Sequence, residues 1–296
     1  MPSWQMRAVA TYVRLTRKRR YATEDAGRAF LHSTKGPSAP PAGALNGCTV
    51  EHRRLKAADV HVVRRRGATE HGAVVYLHGG AYTNEIVEQQ WSFVGHLARH
   101  AGCEVHVPIY GLAPHHHVVE ALELVQAVVA GIVADGTPVV LAGDSAGAGL
   151  ALAVAQSAPP HVRTHLAGLV LIAPWLDLTM ANPAIEGIEP TDPWLTRAGL
   201  RPIAESWADG IPLEDPRVSP LNGDLTDLPP VDVWVGTRDI TLPDCRELGD
   251  RMPPGAAFHL RVEDGAIHDY PLLPAPEGRA ARAEIVTRVS ALLAGA

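Results

Sequence analysis

Cysteine is scarce in this chain: Cys48, Cys103 and Cys245 are the only three among 296 residues. They are scattered and odd in number, so they form neither a disulfide framework nor a metal-ligand spacing. That usage fits a reducing compartment, and a cytoplasmic location is the expectation. Long apolar runs are also missing. No segment has the length of a membrane span, and the cluster Arg17-Lys18-Arg19-Arg20 is not followed by the apolar core of a signal peptide. Stable membrane insertion is not expected. Nor is there an excess of positive charge: 26 basic residues stand against 32 acidic ones, a formal net charge of -6. That balance argues against a dedicated nucleic-acid binder. Internal repeats are absent, and low complexity is confined to the Pro- and Gly-rich stretch 36–47, which reads as a linker.

What remains is an ordinary globular composition, 46% hydrophobic and 20% charged. The length suits one large α/β domain with a small appended cap. Near the start, Trp4, Met6, Val9, Tyr12, Val13 and Leu15 recur at near-helical spacing. Residues 1–35 therefore read as one or two amphipathic helices, with the basic cluster read as a solvated helix end in preference to a contact with an acidic membrane surface. With the linker they make an N-terminal helical cap segment, residues 1–47, separable from residues 48–296. Strand-like runs follow near 49–55, 60–65, 73–77, 104–109, 139–142, 168–172, 231–235 and 257–262. The first two form a hairpin. The rest alternate with helical segments, which predicts a mostly parallel eight-stranded sheet covered on both faces. Residues 180–212, rich in Pro, Asp and Glu, are a candidate second cap element.

The chain is organised around residues 137–157. An apolar strand, Val139–Ala142, runs into Gly143-Asp144-Ser145-Ala146-Gly147 and then into an Ala- and Leu-rich helix. Strand, G-x-S-x-G, helix is the context of a nucleophile elbow. The glycines let strand and helix approach closely around a sharply turned serine, and the helix aims unpaired N–H groups at it. The pentapeptide alone also fits a plain strand-to-helix turn. A phosphate loop is disfavoured because no Gly-Lys-Ser/Thr follows, and a dinucleotide fingerprint because position 145 is serine.

In parallel sheets, ligands bind at the carboxyl ends of the strands. His78, Ser145, Asp239 and His268 each fall just after a predicted strand, so the topology gathers them on one edge. A serine hydroxyl needs a base in hydrogen-bond reach, and the base needs an acid to hold its tautomer. Ser145, Asp239 and His268 occur in the order Ser, acid, His. Asp177 is a rival acid, also after a strand. The tract His115-His116-His117 starts a predicted helix with no partner at ligand spacing, and no metal is expected there.

These stretches together carry a resemblance. His78-Gly79-Gly80, Tyr110-Gly111-Leu112-Ala113-Pro114, Gly143-Asp144-Ser145-Ala146-Gly147, Asp215 to Leu221, Asp239 and Ile267-His268-Asp269 are similar to the hormone-sensitive-lipase-like branch of the α/β-hydrolases, from about residue 70 onward. The resemblance implies an α/β-hydrolase catalytic domain over 48–296 and an esterase or lipase of acyl esters. It implies Ser145 as nucleophile, Asp239 as acid and His268 as base. Gly79, Gly80 and Ala146 would donate N–H groups to an oxyanion. His78 and Asp144 would support the loop. Two departures stand out: Ala81 replaces the family's third glycine, and Thr241 stands where Leu is common. Asp215 to Leu221 is expected to pack beneath the acid, and Trp194 and Trp207 either to line the pocket or to fill core.

The expected activity is hydrolysis of carboxylic esters of small to medium acyl groups through an acyl-enzyme, with no cofactor and a small-molecule ester as the partner. Lactone, amide or formamide hydrolysis could use the same triad. A binding protein without catalysis, like the plant hormone receptors of this group, is the third reading. A homodimer through an edge strand or the last helix is compatible with the resemblance.

Overall fold

The computed structural model describes all residues, 1–296. Ten helices and eight strands alternate along it. The strands are β1 Cys48–Leu55, β2 Ala58–Arg65, β3 Ala73–Leu77, β4 Glu104–Pro108, β5 Val139–Asp144, β6 Leu166–Ile172, β7 Val231–Arg238 and β8 Phe258–Ile267. The helices are α1 Trp4–Thr16, α2 Glu24–Leu31, α3 Glu88–His100, α4 Val118–Val133, α5 Ser145–Ser157, α6 Pro160–Arg163, α7 Ile185–Ile188, α8 Arg197–Ala208, α9 Leu242–Arg251 and α10 Pro276–Ala294. The short helices α6 and α7 carry too few turns to leave a period in the sequence.

One sheet orders the strands β1-β2-β4-β3-β5-β6-β7-β8. β1 and β2 are antiparallel to each other, β2 is antiparallel to β4, and the pairs from β4 onward are parallel. The pleat divides the core in two. Ala73, Val75, Leu77, Val139 and Leu141 point into one apolar cluster with α4, α5 and α8. Val74, Tyr76, Val140 and Ala142 point into the other with α3 and α10. The central strands are buried on both faces, so they read as unbroken apolar runs.

The N-terminal segment is separate in sequence and joined in space. Residues 34–47 form no helix or strand, but α2 lies on α8 with glycine against glycine. A Cβ on Gly27 would come within 2.1 Å of the Gly199 carbonyl oxygen, and one on Gly199 within 2.1 Å of the Tyr21 carbonyl oxygen. Lys18 Nζ donates to the carbonyls of Asp192, at 2.8 Å, and Leu195, at 2.7 Å. The Thr196 hydroxyl donates to the Tyr21 carbonyl. Residues 1–31 and 184–208 thus form one layer over the carboxyl edge of the sheet.

The amphipathic pattern of α1 resolves into two faces. Met6, Ala10 and Val13 are buried, whereas Trp4, Tyr12 and Leu15 of the same periodic set are exposed. Asp215 to Leu221 is tied by hydrogen bonds to a second loop. Ser219 Oγ accepts the Leu178 N–H at 2.7 Å, and the Leu221 N–H donates to the Leu176 carbonyl at 3.0 Å. These bonds brace the loop after β6, while Val218 and Leu221 share the buried cluster of Ile240 and Leu242 beside Asp239.

Candidate active site

Ser145 sits where β5 turns into α5, with φ at +51°. That left-handed backbone is costly for a residue with a Cβ and holds only where the surroundings impose it. The flanking glycines are the reason it can form. A Cβ on Gly143 would lie 2.7 Å from the Leu77 carbonyl oxygen, and one on Gly147 2.1 Å from the same atom. Both approaches are to the backbone of β3, which cannot swing aside. The first N–H groups of α5 are left without helical partners at the serine.

Three of the predicted residues meet in one hydrogen-bonded chain. His268 Nε2 is 2.9 Å from Ser145 Oγ. His268 Nδ1 is 2.9 Å from Asp239 Oδ2. All three side chains are buried. Asp239 is held in turn by Thr241, whose N–H and hydroxyl donate to Oδ1 at 3.0 and 2.9 Å. The departure at Thr241 therefore supplies a second anchor for the carboxylate. Asp177, the other strand-end carboxylate, accepts from the Thr179 N–H at 2.9 Å and from the Ser219 hydroxyl at 3.3 Å.

Two further carboxylates surround His268. Asp269, in the left-handed region at φ +55°, places Oδ2 3.4 Å from Nε2. Asp192 accepts N–H groups from Trp194 at 2.7 Å and Leu195 at 3.0 Å on Oδ1, and from Ile240 at 3.0 Å on Oδ2. It ties the 184–208 layer to the loop of Asp239. Burial and the nearby Asp239 charge push Asp192 up to about 6. Burial alone would lower the His268 pKa. The carboxylates of Asp239 and Asp269 outweigh it, with help from Asp192, and push the imidazole up to about 10. Trp194 sets its ring edge-on to His268, centroids 5.7 Å apart. Trp207 is core: it is fully buried and stacks on Tyr82 at 4.2 Å.

The oxyanion donors differ from expectation at one position. The Gly79 N–H donates to Asp144 Oδ1 at 2.9 Å, so it is not free for a substrate oxygen. The Tyr76 hydroxyl donates to the same Oδ1, and Gln90 Nε2 fixes the other oxygen, 2.7 Å from Oδ2. A Cβ on Gly79 would meet Asp144 Oδ2 at 2.3 Å and Ser145 Cβ at 2.9 Å, so glycine is required there for close approach. The next N–H groups along the loop, of Gly80 and Ala81, have no acceptor in the protein, nor does that of Ala146. Ala81 takes φ +52° despite its Cβ. His78 stacks on Tyr110 at 4.5 Å, and its Nδ1 is 2.9 Å from the Gly79 carbonyl oxygen. Burial lowers its pKa to about 4, which makes it a neutral brace of the loop.

Gln90, Tyr76 and Asp192 were not legible as site residues. Gln90 left one trace, as the third residue of α3: its Oε1 accepts the Val87 N–H at 2.7 Å. In the histidine tract, His116 Nδ1 is 2.7 Å from Glu120, one helical turn on. No group of three or more His, Cys, Asp or Glu in the structure could hold a metal ion.

A cavity of about 490 Å3 opens on Ser145 and His268. Its walls come from α1, the 79–90 loop, the 194–200 segment and residues 272–274.

Sheet order, elbow and buried Ser–His–Asp chain define an α/β-hydrolase. A family model described as alpha/beta hydrolase fold matches residues 74–272. The chain belongs to this family, in its hormone-sensitive-lipase-like branch. It is similar to an esterase of Acinetobacter venetianus, 29% identical over 254 residues that cover 82% of this chain and 83% of the relative. An acetyl-hydrolase of Streptomyces hygroscopicus is 33% identical over 192 residues, covering 64% and 63%. The crystal structure of an esterase from the bacterial hormone-sensitive lipase family superposes with a TM-score of 0.80 at 27% identity, covering 99% of each chain. The protein is a carboxylic-ester hydrolase. No helix is long and apolar enough to cross a membrane.

Proposed function

We propose that the protein cleaves carboxylic esters of small to medium acyl groups through a covalent acyl-enzyme on Ser145. The reading is carried by the unbroken chain from Ser145 Oγ to His268 Nε2 and from His268 Nδ1 to Asp239 Oδ2, each link 2.9 Å. Ser145 Oγ attacks the acyl carbonyl as His268 Nε2 takes its proton. Asp239 holds the tautomer and stabilises the imidazolium. The negative charge that develops on the carbonyl oxygen is met by the N–H groups of Gly80, Ala81 and Ala146, already fixed before reaction. His268 then protonates the leaving alcohol. Water, deprotonated by the same imidazole, releases the acid. A cavity of about 490 Å3 suits such substrates. Residues 8–21 of the N-terminal segment and residues 194–200 of the 180–212 element act as the cap that closes it.

The test is hydrolysis of p-nitrophenyl esters, from acetate to long chains, by the native protein and by Ser145→Ala. The expected result is native turnover with a chain-length optimum and a fall of about 10³-fold or more in kcat/KM for the variant. Equal activity of the two proteins overturns the assignment of Ser145. A folded native protein inactive on every ester transfers the triad to lactones, amides or formamides.

A further inference from the structure

We propose that the outer face of α1 is a docking surface for an anionic lipid membrane, which the protein meets with the mouth of its cavity turned toward the lipid. The inference goes beyond ester hydrolysis and does not depend on it. It starts from the two faces of α1. Met6, Ala10 and Val13 are spent on the core, yet Trp4, Tyr12 and Leu15 on the opposite side are 67%, 61% and 73% exposed. At 100° per residue, Trp4, Ala8, Tyr12 and Leu15 fall on one stripe. An indole and a leucine left in water on one stripe, three turns apart, are not used by the core of this fold. Ala8 and Tyr12 also line the cavity that opens on Ser145. The stripe therefore runs from the outer surface of the cap to the mouth of the site.

Charge selects the occupant. Residues 1–20 hold Arg7, Arg14, Arg17, Lys18, Arg19 and Arg20 and no acidic residue, so six positive charges sit in a chain whose formal net charge is -6. Lys18 is turned inward to backbone carbonyls, and Arg20 lies 5.2 Å from the Phe30 ring centroid. The first arginine of the chain to pair with a carboxylate is Arg28, with Glu24. The guanidinium groups of Arg7, Arg14, Arg17 and Arg19 thus remain unneutralised around an exposed apolar stripe. A second copy of this chain docked on the same face would bring two such arrays together, which is repulsive. A plane of anionic headgroups over acyl chains satisfies both features: the indole and leucine enter the interface while the arginines meet phosphate. The helix lies on the surface and does not span it. Docked this way, the cavity would draw esters that partition into the lipid.

The protein, residues 1–296, is sedimented with vesicles of phosphatidylcholine alone and of phosphatidylcholine with phosphatidylglycerol. Turnover of soluble p-nitrophenyl acetate serves as the folding control. Binding to the anionic vesicles, weakened by added salt, is expected. The double variant Trp4→Ser/Leu15→Ser should bind about tenfold or more weakly, and Arg7→Gln/Arg14→Gln about fivefold weaker per charge, both with native activity on the soluble ester. Failure of the native protein to bind anionic vesicles overturns the proposal. Equal binding to neutral vesicles, or unchanged binding by either double variant, does the same. A native dimer that Trp4→Ser/Leu15→Ser converts to monomer would assign the face to a second copy instead.

Discussion

Replacing Asp269 by Asn tests the electrostatics of the site most directly. The substitution keeps shape, and asparagine tolerates the left-handed backbone found there at φ +55°. It removes the carboxyl whose Oδ2 lies 3.4 Å from His268 Nε2; burial raises that carboxyl well above the usual carboxylate range, and the imidazolium beside it is what favours its charge. Two unit charges about 4 Å apart interact by roughly 1 kcal/mol in water and roughly 4 kcal/mol at an effective dielectric constant of about 20. Near a buried imidazole, that predicts a fall of about one to three pKa units. Native His268, pushed up to about 10, must lose its proton before it can act as a base. The native kcat/KM on p-nitrophenyl butyrate should therefore rise with pH into the alkaline range. In Asp269→Asn the rise should come at least about one unit earlier, with higher kcat/KM near neutrality. An inflection that stays in place, or moves up, refutes the argument. Stability should follow the same proton. His268 is raised in the fold, so its contribution is complete below the unfolded value of about 6.5 and is lost as pH rises through its folded value. Native Tm should fall across that window, and less steeply in the variant.

Gly147→Ala sets a Cβ 2.1 Å from the Leu77 carbonyl oxygen. It should cost more than about 3 kcal/mol, read as loss of soluble protein or of the urea transition. Thr241→Val removes the 2.9 Å hydroxyl bond to Asp239 Oδ1 but keeps the N–H bond. Its kcat should fall by no more than about tenfold with little change in KM, since one hydrogen bond contributes about 0.5–1.5 kcal/mol. Trp207→Ala should destabilise by about 3–5 kcal/mol in urea unfolding, because the ring is wholly buried and stacked on Tyr82.

Much of this was legible because it rests on short-range sterics. The elbow is an example: Gly143 and Gly147 flank Ser145 within two residues, and their small size is a local requirement that the pentapeptide displays. Strands buried on both faces announce themselves as apolar runs, and their carboxyl ends are where His78, Ser145, Asp239 and His268 fall. Other features involve choices between surfaces that look alike in sequence. The period of α1 marks Trp4, Tyr12 and Leu15 no differently from Met6 and Val13. Trp194 and Trp207 occupy one Pro- and acid-rich segment, yet one faces His268 and the other is core.

The sequence by itself determined the sheet, the order of Ser145, Asp239 and His268, and the edge on which they gather, because hydrophobic periodicity and glycine sterics act over a few residues. The tertiary structure alone decided which N–H groups remain free. Asp144 takes the Gly79 N–H across 65 positions of chain, leaving Gly80 and Ala81 as the open donors. It also decided that Asp192 and Asp269 face His268, and that α1 turns its arginine-flanked apolar stripe outward. Each depends on where a distant segment lies, and a hydrogen bond or a charge acts through space, without regard to separation along the chain.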